Sequence, residues 1–282
     1  MKVLHTVADV RAWRPGAGRV GFVPTMGALH AGHMSLVERA VRESDVAVVS
    51  IFVNPTQFGP NEDFTAYPRT EAEDVALLED HGCAVAFIPP PSEIYAQGDA
   101  TRVTPGPIAA PLEGAARPGH FIGVATVVAK LLAIVRPDTA FFGQKDFQQL
   151  RVLQMTARDL RLGADVVGCP TVREPDGLAL SSRNAYLTPE QRRDAVALSR
   201  GLFAARELWE QGVRGPDRLR DAVRSETAGP RILLEYVSAA DPITLVELDA
   251  PAERAVISLA ARVGKARLID NVLLGMDLAD LR

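Results

Sequence analysis

Pro24-Thr25-Met26-Gly27-Ala28-Leu29-His30-Ala31-Gly32-His33 lies between the apolar run 20–23 and the helix-like run 34–44. The stretch therefore reads as the turn that joins a strand to a helix. Two histidines three residues apart at a helix start face the same side. Gly27 and Gly32 let backbone approach a ligand with no Cβ in the way. Imidazole donors and the positive end of a helix then meet at one point. That arrangement suits a nucleotide's phosphates and the charge that builds on an attacked phosphorus. Two other readings stand beside it: a structural turn with incidental histidines, and a zinc site for which no third ligand is evident nearby.

Outward from this turn, strand-like and helix-like runs alternate. Residues 20–23 read as a strand, 33–44 as a helix and 46–53 as a second, buried strand. Residues 71–81 place Val75, Leu77 and Leu78 at roughly helical spacing, and Gly82 closes that helix. A short strand at 84–88 is halted by Pro89-Pro90-Pro91. A strongly apolar helix at 123–135, a strand at 139–142, a helix at 146–160 and a strand at 165–167 follow. Strands separated by helices imply right-handed crossovers, hence an α/β, Rossmann-like, doubly wound parallel sheet.

The character changes after about Val172. Thr188-Pro189-Glu190-Gln191 is a capping box with proline at the first helical position, and it opens a long helix to about Gln211. A helix at 216–228 and strand-like runs at 232–238, 255–261 and 267–274 complete a small α+β pattern. The expected domains are 1–172 and 173–282, joined at a loop, 173–184, rich in Gly, Pro, Ser and Asn. No internal repeat or low-complexity tract is visible.

The chain has 282 residues, long enough for one large domain or two of ordinary size. Its 47% hydrophobic and 23% charged residues are those of a globular protein. A formal net charge of −4 lacks the basic surplus of a nucleic-acid binder, and Arg192-Arg193 reads as a solvated helix face. Cys83 and Cys169 lie in or beside apolar strand-like runs. Buried thiols in a reducing compartment are favoured over a disulfide or a metal site. With no signal-peptide pattern and no run of 18 apolar residues, the expectation is a cytoplasmic protein with no membrane span.

Three further constellations carry chemistry. Asn54-Pro55-Thr56-Gln57-Phe58-Gly59 directly follows the second strand, so Asn54 and Gln57 should face the crevice beyond the strands' carboxyl ends. Their neutral amides suit hydroxyl or carboxylate recognition; an ordinary turn is the alternative. Gly143-Gln144-Lys145-Asp146 also follows a strand and opens a helix, with Gln149 one turn on. Lys145 could neutralise phosphate and Asp146 hold a ribose hydroxyl, or the segment is simply a charged helix start. Leu180-Ser181-Ser182-Arg183-Asn184 sets hydroxyls beside an arginine on a glycine-containing loop, either a phosphate clamp or a serine-rich connection.

Taken together, PTMGALHAGH, IFVNPTQF, RPGHFIGVATVV, FGQKDFQQ and LALSSRN resemble the pantothenate synthetase (pantoate–β-alanine ligase) family from about Val20 to Leu187. The histidine signature is shared with the wider nucleotidyltransferases and the class I aminoacyl-tRNA synthetases. The resemblance implies a ligase that joins (R)-pantoate to β-alanine through a pantoyl-adenylate, using ATP with Mg²⁺ and releasing AMP and pyrophosphate. It implies that residues 26–33 line the ATP site, with His33 as proton donor and His30 on the phosphates. By the same resemblance Gly143, Gln144, Lys145 and Asp146 hold ribose and phosphate, and Lys145 supplies the main charge. Val172 meets adenine through its backbone, and Leu180, Ser181, Ser182 and Arg183 close over the phosphates. The resemblance further implies that Gln57 contacts pantoate and β-alanine, that Gln149 contacts pantoate, and that Arg117 and His120 lie near the site. A homodimer is implied as well.

Two positions depart from the family pattern. Ala31 stands where an acidic residue is usual, which removes a like charge near the phosphates, and Leu180 stands where some members have Met. Two rivals are a nucleotidyltransferase acting on a phosphorylated acceptor and a non-catalytic nucleotide-binding regulator. The neutral Gln57 and Gln149 argue against the first; His30, His33, Lys145 and Arg183 argue against the second.

Overall fold

The computed structural model describes residues 1–60 and 62–281. Its chain divides into two compact units, Met1–Gly143 with Gln148–Cys169, and Gln144–Phe147 with Pro170–Leu281.

The first unit is built on a six-stranded sheet in which every pairing is parallel. Its strands are β1 (Lys2–Leu4), β2 (Val20–Thr25), β3 (Val46–Ile51), β4 (Val85–Phe87), β5 (Thr139–Gly143) and β6 (Asp165–Cys169). They lie in the order β1-β4-β3-β2-β5-β6. The crossovers carry α1 (Val7–Trp13), α2 (Ala31–Glu43), α3 (Glu71–Asp80), the short α4 (Pro91–Ile94) and α5 (Glu113–Ala116), α6 (His120–Val135) and α7 (Phe147–Asp159). This is the Rossmann-like doubly wound arrangement expected from the alternation of runs. Strand order reverses between β2 and β5, so the switch point lies beside the carboxyl end of β2, where the histidine turn begins.

Central strands buried on both faces need apolar side chains at successive positions, which is why β3 reads Val-Ala-Val-Val-Ser-Ile. Phe22, Val48, Val49, Ala86 and Phe141 are wholly buried there. Each large apolar side chain so placed contributes about 1.5–3 kcal/mol relative to exposure. The sequence pattern did not indicate β1 or α1. A three-residue edge strand and a seven-residue helix are too short to show periodicity, although Thr6 caps α1 by accepting from Asp9 N–H. Helix α6 starts three residues before the apolar run, because Gly119 takes the left-handed conformation (φ +84°) at its N-cap.

The second unit packs α8 (Pro189–Glu210) and α9 (Pro216–Glu226) with an antiparallel sheet, β7 (Ile232–Ala240), β8 (Ala255–Val263) and β9 (Ala266–Leu274). The capping box of α8 is formed in both directions, Thr188 with Gln191. Its core joins Leu198, Leu202 and Trp209 to Ile257 and Leu259 of the central strand. Residues 173–184, expected as a loop, form a tight hairpin and the start of a 3₁₀ turn. Arg173 bridges Ala179, Glu174 N–H donates to Leu178 O and Leu180 N–H donates to Val172 O. Gly177, at φ +96°, permits the reversal.

Cys83 and Cys169 are buried and unpaired. Among the described residues no helix is long and apolar enough to cross a membrane.

Candidate active site

The histidine turn is more ordered than a glycine-rich loop would require. Helix α2 begins at Ala31 rather than at His33, because His30 is its N-cap. His30 Nδ1 accepts from Gly32 N–H at 3.1 Å, and His33 Nδ1 accepts from His30 N–H at 3.4 Å. This is a capping box made of two imidazoles, with ring centroids 4.1 Å apart. A ring nitrogen that accepts carries no proton, so both rings are fixed as the tautomer protonated at Nε2. The helix start thus presents two N–H donors of defined orientation.

Behind the turn stands a residue that lies outside every motif of the sequence. Asp74, on α3 and 3% exposed, accepts from Ala28 N–H at 2.9 Å and Leu29 N–H at 2.8 Å, one with each carboxylate oxygen. Thr70 Oγ1 donates to it at 3.2 Å. The turn needs this clamp because Gly27 (φ +81°) and Ala28 (φ +51°) are both left-handed. On the side where a side chain would stand, Gly27 is packed against the protein itself. A Cβ there would lie 2.9 Å from Asp74 Oδ2 and 3.0 Å from Ile51 Cγ2. Sequence did carry a signal: Asp74 falls at helical spacing with Leu77 and Leu78, an acid on an apolar face. Asp74→Ala leaves two backbone donors without partners and is expected to cost about 2–4 kcal/mol in urea unfolding. A loss below about 0.5 kcal/mol would contradict the clamp.

Asn54 and Gln57 do not share one role. Asn54 is 1% exposed and its side chain is fully engaged inside the protein. Its Oδ1 accepts from Tyr95 Oη at 2.8 Å and Thr56 Oγ1 at 3.0 Å, and its Nδ2 donates to Gln57 Oε1 at 3.0 Å and Gly123 O at 3.2 Å. Gln57, half-buried, donates from Nε2 to Met26 Sδ at 3.1 Å. Asn54 therefore orients Gln57, and Gln57 touches the histidine turn.

Arg117 and His120 hold the same segment from the other side. Arg117 pairs in two-pronged fashion with Glu62, at 2.6 and 2.8 Å, and donates to His120 Nε2 at 3.0 Å. His120 Nδ1 then donates to Gln57 O at 2.9 Å. Burial, and next the charge of Arg117, push the His120 pKa down to about 4. For Glu62 burial alone would raise the pKa. The hydrogen bonds and charge of Arg117 and the Gly59 N–H outweigh it and hold the carboxyl at about 2. Both groups therefore bind fewer protons folded than unfolded. His120 contributes stability that is complete above about pH 6.5 and lost as pH falls towards 4, on the order of 3 kcal/mol. Glu62 adds a further loss between about 4.5 and 2. His120→Asn is expected to flatten the fall in Tm between pH 6.5 and 4; a variant with the wild-type slope would contradict this assignment.

On α7, Gln148 and Gln149 diverge. Gln148 is buried and ties down the loop before α5, donating to Ile108 O and Pro111 O and accepting from Glu113 N–H. Gln149 remains half-exposed.

Gly143 ends β5 in the first unit, and the remaining candidates belong to the second. Val172 and Leu180 face each other across the hairpin. Ser181 caps the following turn by accepting from Arg183 N–H at 3.3 Å. Asn184 Nδ2 donates to Ala179 O at 3.0 Å. Lys145 Nζ lies 3.8 Å from Asp146, and both side chains are partly exposed. Among the described residues no group of three or more His, Cys, Asp or Glu is placed to hold a metal ion.

The profile of the family described as "Pantoate-beta-alanine ligase" matches residues 2–273. A pantothenate synthetase of Roseiflexus sp. is 54% identical over 97% of this chain and 99% of its own. Pantothenate synthetase from Thermus thermophilus superposes with a TM-score of 0.93 at 50% identity, covering 96% of this chain and 99% of its own. A Francisella tularensis pantoate-beta-alanine ligase, crystallised with beta-gamma ATP and β-alanine, gives 0.79 at 36% identity, covering 98% and 99%. With a parallel sheet that places paired histidines at its switch point, and with these relatives along nearly its whole length, the chain belongs to the pantoate–β-alanine ligase family, the pantothenate synthetases.

Proposed function

We propose that the enzyme activates (R)-pantoate as its adenylate and transfers the pantoyl group to β-alanine. A carboxylate oxygen of pantoate attacks the α-phosphorus of ATP, the bond to the bridging oxygen breaks and pyrophosphate leaves. The amine of β-alanine then attacks the acyl carbon, loses a proton and displaces AMP. The observation that carries this reading is the reciprocal histidine cap, which fixes two Nε2–H donors at a helix start. Such fixed donors stabilise charge that grows on the phosphates with no reorganisation during the step.

Residues 26–33 contact ATP, with His33 donating to the phosphates during displacement and His30 beside it. Gly143, Gln144, Lys145 and Asp146 take the ribose and phosphates, Lys145 as the main positive charge. Val172 meets adenine, and Leu180, Ser181, Ser182 and Arg183 cover the phosphates. Gln57 binds pantoate and β-alanine, and Gln149 binds pantoate. The fixed orientation of the Gln57 amide, set by Asn54, supports a neutral site that selects hydroxyls and carboxylate by geometry. Mg²⁺ accompanies ATP, held by the phosphates; it neutralises and orients them. The C-terminal domain, residues 173–282, acts as the lid that keeps water from the mixed anhydride. The enzyme is a cytoplasmic homodimer in this reading.

The test is to incubate enzyme, ATP, Mg²⁺ and pantoate with and without β-alanine, and to follow AMP and pantothenate. Pantothenate with stoichiometric AMP, both dependent on β-alanine under turnover, is expected. AMP release that ignores β-alanine, or no turnover, contradicts it.

A further inference from the structure

In the apolar run Leu268-Ile269-Asp270-Asn271-Val272-Leu273 of β9, two adjacent polar residues interrupt the pattern. Both are buried, Asp270 at 4% and Asn271 at 2% exposure. Buried polar groups persist only with partners, so where these two spend their hydrogen bonds is informative.

Successive residues of a strand point to opposite faces. Asp270 shares its face with Leu268, Val272 and Leu274 of the unit's core. There it receives both arms of Arg173, at 2.6 and 2.9 Å. Arg173 also donates to Gly177 O at 3.1 Å and lies over the Phe203 ring at 5.0 Å. The base and tip of the hairpin that carries Val172 and Leu180 are thereby fastened to β9. On the other face, Asn271 Nδ2 donates to Gln144 O and Lys145 O, both at 2.9 Å, and its Oδ1 accepts from Gln144 Nε2 at 3.3 Å. This grip accounts for the grouping of Gln144–Phe147 with the C-terminal unit, although the chain reaches those residues directly from β5.

We infer that Asp270 and Asn271 are positioning residues for the nucleotide, with Asn271 acting through the backbone of Lys145 and Asp270 through the 172–180 hairpin. One strand of the C-terminal sheet, gripping from its two faces, sets the lysine and the serine–arginine segment in fixed register with each other. The C-terminal domain then supplies part of the phosphate-binding geometry as well as cover. The inference rests on the phosphate role proposed above for Lys145.

A double-mutant cycle reads this directly. Dissociation constants for Mg-ATP and for pantoate are measured by calorimetry on the full-length wild type, Asn271→Ala, Lys145→Ala and the double variant. Asn271→Ala is expected to weaken ATP about tenfold and to leave pantoate within twofold. In the Lys145→Ala background the same change should weaken ATP less than twofold. Equal losses for ATP and pantoate, a full tenfold loss in both backgrounds, or unchanged ATP binding would each overturn the inference. Should Asn271→Ala fail to fold, Asn271→Asp keeps size and Oδ1 while removing the two donors, and carries the same cycle. A wild type that binds no ATP would overturn the functional reading and this one together. Normal ATP binding and turnover with an additive cycle would overturn this one alone.

Discussion

Replacing His33 by alanine is expected to slow adenylate formation by about 10²–10³-fold while removing only about 1 kcal/mol of stability. The two numbers come from two jobs of one ring. Its Nδ1 completes the cap of α2 by accepting from His30 N–H, and deleting a cap partner costs about 1 kcal/mol. Its Nε2–H is the donor assigned to the phosphates, and loss of a fixed donor to developing charge is worth two to three powers of ten. Glutamine separates the jobs. Glutamine is a usual third-position partner in a capping box, so His33→Gln should restore the cap and the stability. It cannot supply an imidazole N–H at the same place, so the rate should stay low. Single-turnover pyrophosphate release from ATP and pantoate, and urea unfolding, measured side by side, check both. A glutamine variant with wild-type rate would reduce His33 to a structural cap.

Gly123→Ala is the second large effect, and here two principles oppose each other. Within α6, alanine should stabilise the helix by about 1 kcal/mol through propensity alone. Packing points the other way. A Cβ at 123 would lie 2.3 Å from Thr56 O and 2.7 Å from Gln57 Cα, both backbone atoms of the segment that carries Gln57. Backbone cannot turn aside as a flexible side chain can, so either α6 or the 54–57 turn must shift. Overpacking of this kind costs about 1–3 kcal/mol, and the upper end is expected. The shift also strains the Asn54 Nδ2 bond to Gly123 O, through which Gln57 is oriented. The KM for pantoate should therefore rise about tenfold or more, with the KM for ATP much less affected. A stabilised or neutral variant would show that α6 does not press on this turn.

These effects illustrate what local sequence could and could not convey. Alternating apolar runs gave the parallel sheet, and Thr188-Pro189-Glu190-Gln191 gave the start of α8, because burial pattern and capping are properties of neighbouring residues. The element β1 was invisible, since three edge residues have no period to read. Asn54 was read as facing the crevice with Gln57, yet it is buried and works on Gln57 instead. Nothing in the string Asn-Pro-Thr-Gln distinguishes an amide that meets a ligand from one that orients its neighbour. The partners of the remaining residues are distant in sequence: Asp74 reaches Ala28, and Asn271 reaches Lys145. Their only local mark is a polar residue in an apolar pattern, which says that a partner exists but not which one.

The most direct test of the central chemistry follows an oxygen atom. Pantoate labelled with ¹⁸O in its carboxylate is converted with ATP, Mg²⁺ and β-alanine, and the AMP is examined by mass spectrometry. If pantoate attacks the α-phosphorus and the amine then attacks the acyl carbon, one labelled oxygen stays on phosphorus and AMP is heavier by that atom. Unlabelled AMP, or label recovered in inorganic phosphate or pyrophosphate, would contradict the adenylate route.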